Sequence, residues 1–164
     1  MVKKILKTIL KVVILILVYL LQIYVINNTT FFGVNGDLCL MAVVLFALME
    51  KNNIAYIYAG ISGVLSDVLF SNVPCKYLVT YIMVTAVLIG LKKMYKQDSK
   101  MAIIIFAISG SIISEILMFI FNVMFTGTFV NIFAFVFLIL KECIINIFLA
   151  FVLYLVLKLC SKEE

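Results

Sequence analysis

Two carboxylates close stripes of small residues with the same spacing: Ala59, Gly63 and Asp67 in one apolar tract, and Ala107, Ser111 and Glu115 in another. Residues four apart share a helix face, so each stripe is a narrow small-small-acid strip. An ionised carboxylate in hydrocarbon is expensive unless it is partnered, neutral or beside water, so both strips must face protein. Small residues admit a second helix closely, and the acid then meets whatever that helix carries. Counted along spans of about 20 residues, Asp67, Glu115 and Lys141 fall at one depth, with Asp37 similarly deep in the second apolar tract. Lys141 is therefore the expected cation for this belt. The remaining acids would be satisfied by Lys76, backbone or serine donors, water or protonation. Such a belt can be a structural polar knot, a partner-docking site or a ligand or ion cavity.

Other chemistries find little to work with. Ser62 and Ser66 lie on a neighbouring face of the Asp67 helix, but the chain has no histidine and no Ser-Lys spacing, so they read as helix-packing residues rather than nucleophiles. The glycine-rich motif of aspartyl intramembrane proteases is absent around Asp67 and Glu115. Cys39, Cys75, Cys143 and Cys160 stand singly, without metal-site spacing, and read as small apolar fillers. All 13 basic residues are lysine, which leaves no bidentate arginine for phosphate groups. No enzyme activity, cofactor or metal is expected. Nor is nucleic acid a partner, since the lysines cluster at the ends of apolar tracts rather than on one soluble face.

The elements that must position these residues follow from composition. Of 164 residues, 66% are hydrophobic and 13% charged, far outside the range of soluble domains. The expectation is an all-α integral membrane protein, one six-helix transmembrane bundle with spans at about 5–26, 31–50, 54–72, 74–91, 101–125 and 138–158. The first retains a signal-like start, with Lys3, Lys4, Lys7 and Lys11 before an apolar run and no cleavage site after it. Residues 27–30 form a turn. The second span has an irregular start, because Gly33, Asn35 and Gly36 loosen a helix. Pro74 suits the first turn of the fourth. The polar loop at 92–100 precedes the fifth. The last apolar stretch, 128–157, would run about 45 Å as one helix against a hydrocarbon core of about 30 Å. It is therefore divided into a Phe-rich interfacial segment at 129–140 and a sixth span. Eleven lysines fall on the inner side and Lys76 alone clearly on the outer, which places both termini on the cytoplasmic side.

Gly36-Asp37-Leu38-Cys39-Leu40, the Ala59 to Asp67 segment and the six-span layout together resemble the rod shape-determining protein MreD family. That family starts helix two with a Pro-Asp-Leu-like motif and carries small-x-x-x-Gly-x-x-x-Asp on helix three. Here Gly36 replaces the proline, Ala59 stands for the first glycine, and Ser71 stands where a glycine commonly follows the acid; Gly63 and Asp67 match, and Glu115 sits where helix five often has an acid. The resemblance implies a non-catalytic scaffold of the cell-elongation and peptidoglycan-synthesis machinery. It would bind an MreC-like bitopic membrane protein and, through it, the MreB cytoskeleton, RodA and a penicillin-binding transpeptidase. The fold it implies is similar to the substrate-binding components of energy-coupling-factor transporters, which supplies an alternative: a vitamin-type binding subunit with an outward pocket. The absence of Trp, Arg and His argues against that alternative.

Overall fold

The computed structural model describes residues 2–28, 33–95, 100–127 and 131–161. They form six α-helices and no β-strand: α1 (Val2–Tyr24), followed by a 3₁₀ turn at Ile26–Asn28, α2 (Leu38–Met49), α3 (Asn52–Phe70), α4 (Lys76–Lys92), α5 (Lys100–Thr126) and α6 (Ile132–Ser161). Asn52–Phe70, Met101–Phe125 and Ile132–Lys158 are long and apolar enough to cross a membrane, while Lys11–Tyr24 and Leu38–Met49 are shorter apolar helices.

The core is built around α2. Its sequence, Leu-Cys-Leu-Met-Ala-Val-Val-Leu-Phe-Ala-Leu-Met, is apolar on every side. Such a helix has no face to give to water and is stable only when surrounded. Every residue from Leu38 to Leu48 is at most 7% exposed, because α1, α3, α4, α5 and α6 all pack against it. At 12 residues it is about 18 Å long, with its first residues buried and its last, Met49, half-buried.

Around this axis the chain folds as neighbouring pairs. The α3–α4 hairpin is the tightest, since a Cβ placed on Gly63 would lie 2.5 Å from Leu78 Cα and 3.2 Å from Tyr77 O. Only a residue without a side chain permits that approach. The hairpin turns at Cys75, whose φ of 61° is a left-handed backbone unusual for a non-glycine residue. α5 and α6 pair similarly, with the Phe119 and Phe135 rings 4.8 Å apart.

Three boundaries differ from the sequence expectation. The second helix is far shorter than 31–50, because Gly33 to Asp37 are non-helical; the irregular start was anticipated, its extent was not. The fourth begins at Lys76, with Pro74 in the preceding turn rather than in the first helical turn. The division at Leu140 is replaced by a continuous helix of 30 residues, since Lys141 and Glu142 keep helical geometry with one turned out and the other in. Expected features at Thr29, Thr30, Phe31, Lys96, Gln97, Asp98, Ser99, Phe129, Lys162 and Glu164 lie outside the described residues.

Candidate functional site

Where the chain enters α2, an extended backbone passes between α1 and α6, and its polar groups need partners from protein. Gln22 on α1 supplies two: its Nε2 donates to Gly36 O at 3.1 Å and its Oε1 accepts from Leu38 N at 2.8 Å. Asn146 on α6 supplies another, accepting from Asp37 N at 2.9 Å, while its Nδ2 donates to Ser111 Oγ on α5 at 2.9 Å. Gln22, Asn146 and Ser111 are buried. A Cβ on Gly36 would lie 2.5 Å from Leu149 Cδ1 and 2.8 Å from Ile145 Cγ2, so this segment is pressed against α6. Two amides thus hold the break in place like a clamp.

Asp37 is the N-cap of α2: its Oδ1 accepts from Leu40 N at 2.8 Å, one of the helix's orphan donors. Its Oδ2 receives a long bond from Tyr81 Oη, 3.4 Å. From Tyr81 a chain of hydroxyls runs on, linking α4, α3 and α1. Ser66 Oγ donates to Tyr81 Oη at 3.5 Å, Tyr19 Oη lies 2.8 Å from both Ser62 Oγ and Ser66 Oγ, and Tyr19 donates to Ser62 O at 2.5 Å. Beside Asp37 opens a cavity of about 270 Å³ lined by Gln22, Asp37, Phe70, Tyr77 and Tyr81.

The other acids separate into two groups. Asp67 ends its stripe against α4, where Oδ1 accepts from Tyr77 N at 2.7 Å and Oδ2 from Leu78 N at 3.1 Å. These are the second and third residues of α4. A carboxylate from one helix therefore caps the next, and the positive end of the α4 dipole favours its charge. Ala59 and Gly63 are buried below it in the same hairpin. Glu115 faces α6, where it lies against Glu142, which in turn lies beside Asn146. Lys76 contributes the nearby positive charge, and its Nζ donates to Asn122 Oδ1 at 2.9 Å.

The expected place of Lys141 is corrected by this geometry. Its side chain is exposed on α6 while Glu142 is buried, so Glu142 is the α6 residue that meets Glu115, and backbone donors rather than an ammonium hold Asp67. One helix position separates the two readings, because adjacent residues on a helix point about 100° apart. Asp37, Ser111 and Glu115 do converge, through Asn146 and Glu142. Those last two share a face at a spacing of four, which is the signal that could have identified them. Gln22 had a weaker signal, as the amide in the apolar part of α1.

At the opposite end of α2, Lys92 Nζ donates to Ala47 O at 3.0 Å and to Glu50 O, and Lys11 pairs with the Glu50 carboxylate. A cation over the last carbonyls completes the helix as Asp37 does the first amides. No protein-family model, no curated protein and no solved structure matches this chain.

Proposed function

We propose that this protein is a non-catalytic membrane scaffold of the bacterial cell-elongation machinery, of the MreD kind. In this reading six segments cross the cell membrane, the second made of residues 33–37 together with the short α2, and both termini lie in the cytoplasm. An MreC-like bitopic protein is the direct partner, and MreB, RodA and a penicillin-binding transpeptidase are reached through it. The observation that carries the reading is the use made of the stripe on α3: Gly63 sits against the backbone of α4 and Asp67 caps that helix. The motif that carries the family resemblance is thus spent on architecture. The Asp37 carboxylate likewise caps its own helix α2, and that of Glu115 faces α6. A protein whose polar groups serve internal register suits a role as a rigid membrane platform.

Depleting the protein in a rod-shaped cell is the test. Rounding or widening of the cells, with co-purification of an MreC-like protein from detergent-solubilised membranes, is the expected result. Normal shape with loss of uptake of one nutrient would overturn it. That outcome belongs to the second reading, a substrate-binding subunit of an energy-coupling-factor transporter, which one observation favours: the cavity beside Asp37.

A further inference from the structure

The cavity beside Asp37 has a composition that selects its occupant. It is lined by the carboxylate residue Asp37, the aromatic residues Phe70, Tyr77 and Tyr81, and Gln22. The Gln22 amide is occupied on both atoms by the backbone of residues 36 and 38. Asp37 Oδ1 is held by Leu40 N, whereas Oδ2 receives a long 3.4 Å bond from Tyr81, which leaves acceptor capacity on the carboxylate. A carboxylate repels anions, and a purely apolar guest would leave it desolvated without compensation. An ammonium group would satisfy it through a charge-assisted hydrogen bond. The ring faces add attraction for the same charge within about 6 Å of their centroids. Lys76 does not fill this role, for although it lies 5.9 Å from the Tyr77 ring centroid its Nζ is turned to Asn122 on α5. At about 270 Å³ the space lies just below the range of about 300–1,000 Å³ usual for drug-sized ligands. It suits an amine with one small apolar body.

We propose that the Asp37 cavity is a binding site for an ammonium group on a short apolar stem, with Asp37 as counter-ion and Phe70, Tyr77 and Tyr81 as the walls. The ammonium can belong to a free amine or to the ethanolamine headgroup of a phospholipid. This inference is independent of the scaffold reading, which is tested by cell shape rather than by ligand affinity.

The test titrates the full-length protein in neutral detergent with 2-phenylethylammonium and with its uncharged counterpart 2-phenylethanol, by calorimetry and by tyrosine fluorescence, the chain having no tryptophan. The ammonium is expected to bind at least tenfold more tightly than the alcohol. Asp37→Asn keeps an N-cap residue on α2 and should remove that preference while leaving the helical circular dichroism intact. Tyr77→Leu strips one wall without touching the cap and should weaken the ammonium at least threefold. Repeating the titration in nanodiscs of phosphatidylethanolamine and of phosphatidylglycerol identifies the source. Weaker amine binding in the first indicates the headgroup, and equal binding indicates a free amine. Equal affinity of the unmodified protein for ammonium and alcohol overturns the proposal, as does an Asp37→Asn protein that folds and keeps the preference.

Discussion

Asp67 holds two backbone N–H groups of a neighbouring helix, and what those donors lose without it sets the free energy at stake. A buried donor left without a partner costs about 1–3 kcal/mol. Asp67→Ala should therefore lower stability by about 2 kcal/mol, and Asp67→Asn, which keeps one acceptor, by about 1 kcal/mol, read as reversible unfolding in detergent. Since Lys141 lies on the exposed side of α6, the pair Asp67→Asn and Lys141→Met should be additive within about 0.5 kcal/mol. The pair Glu115→Gln and Glu142→Leu should instead show a coupling of about 1 kcal/mol or more, because the two side chains are in contact. Glu142→Gln alone should be milder than Glu142→Leu, as an amide can still donate to the Glu115 carboxylate. Additivity of Glu115 with Glu142 would contradict the contact described for them.

At the scale of elements, α2 is both the most buried helix and the one most dependent on others at its ends. Asn146→Leu removes the acceptor for Asp37 N and the donor to Ser111, and should cost about 1–3 kcal/mol. Its signature is local: in hydrogen exchange, the amides of Asp37 and Leu38 should exchange faster while those of Val43 to Leu48 stay among the slowest. Gly63→Leu should act on the α3–α4 hairpin by sterics alone and cost about 1–3 kcal/mol, with melting as the measurement. Much of this was legible in the residues. Glycines before Asp37 announced a loosened start, and the small-small-acid stripe identified the closely packed face of α3. What a stripe cannot say is which atoms meet it, so a backbone cap on α4 was read as a lysine pair. The break at Lys141 was misplaced for a related reason: two adjacent charges interrupt an apolar sequence, yet a helix carries them without a break when one faces protein and the other points out. α2 was overlong because hydropathy extends through Phe31 and Val34, whereas helix formation stops where Asp37 caps it.

For the whole molecule, the proposed six-span topology predicts that a cytoplasm-dependent reporter fused after Glu164 is active and that one requiring the exterior is active at Asn28; an external Glu164 fusion would refute the topology. α6, at 30 residues and about 45 Å, exceeds a hydrocarbon core of about 30 Å, so it must tilt or extend beyond the bilayer. The clamp on α2 bears on how such a protein is made. Asp37 N finds its acceptor 109 residues later in the chain, on Asn146. In the proposed topology, a nascent chain whose α1 to α5 have reached the bilayer still holds an open backbone beside a helix of about 18 Å, too short to span alone. That intermediate has to be sheltered, by the insertion machinery or at the bilayer surface, until α6 arrives. Nascent chains truncated before Asn146 should consequently be cleared by membrane proteases, while truncation after Ser161 should spare them, so that the last helix serves as the quality-control checkpoint of biogenesis.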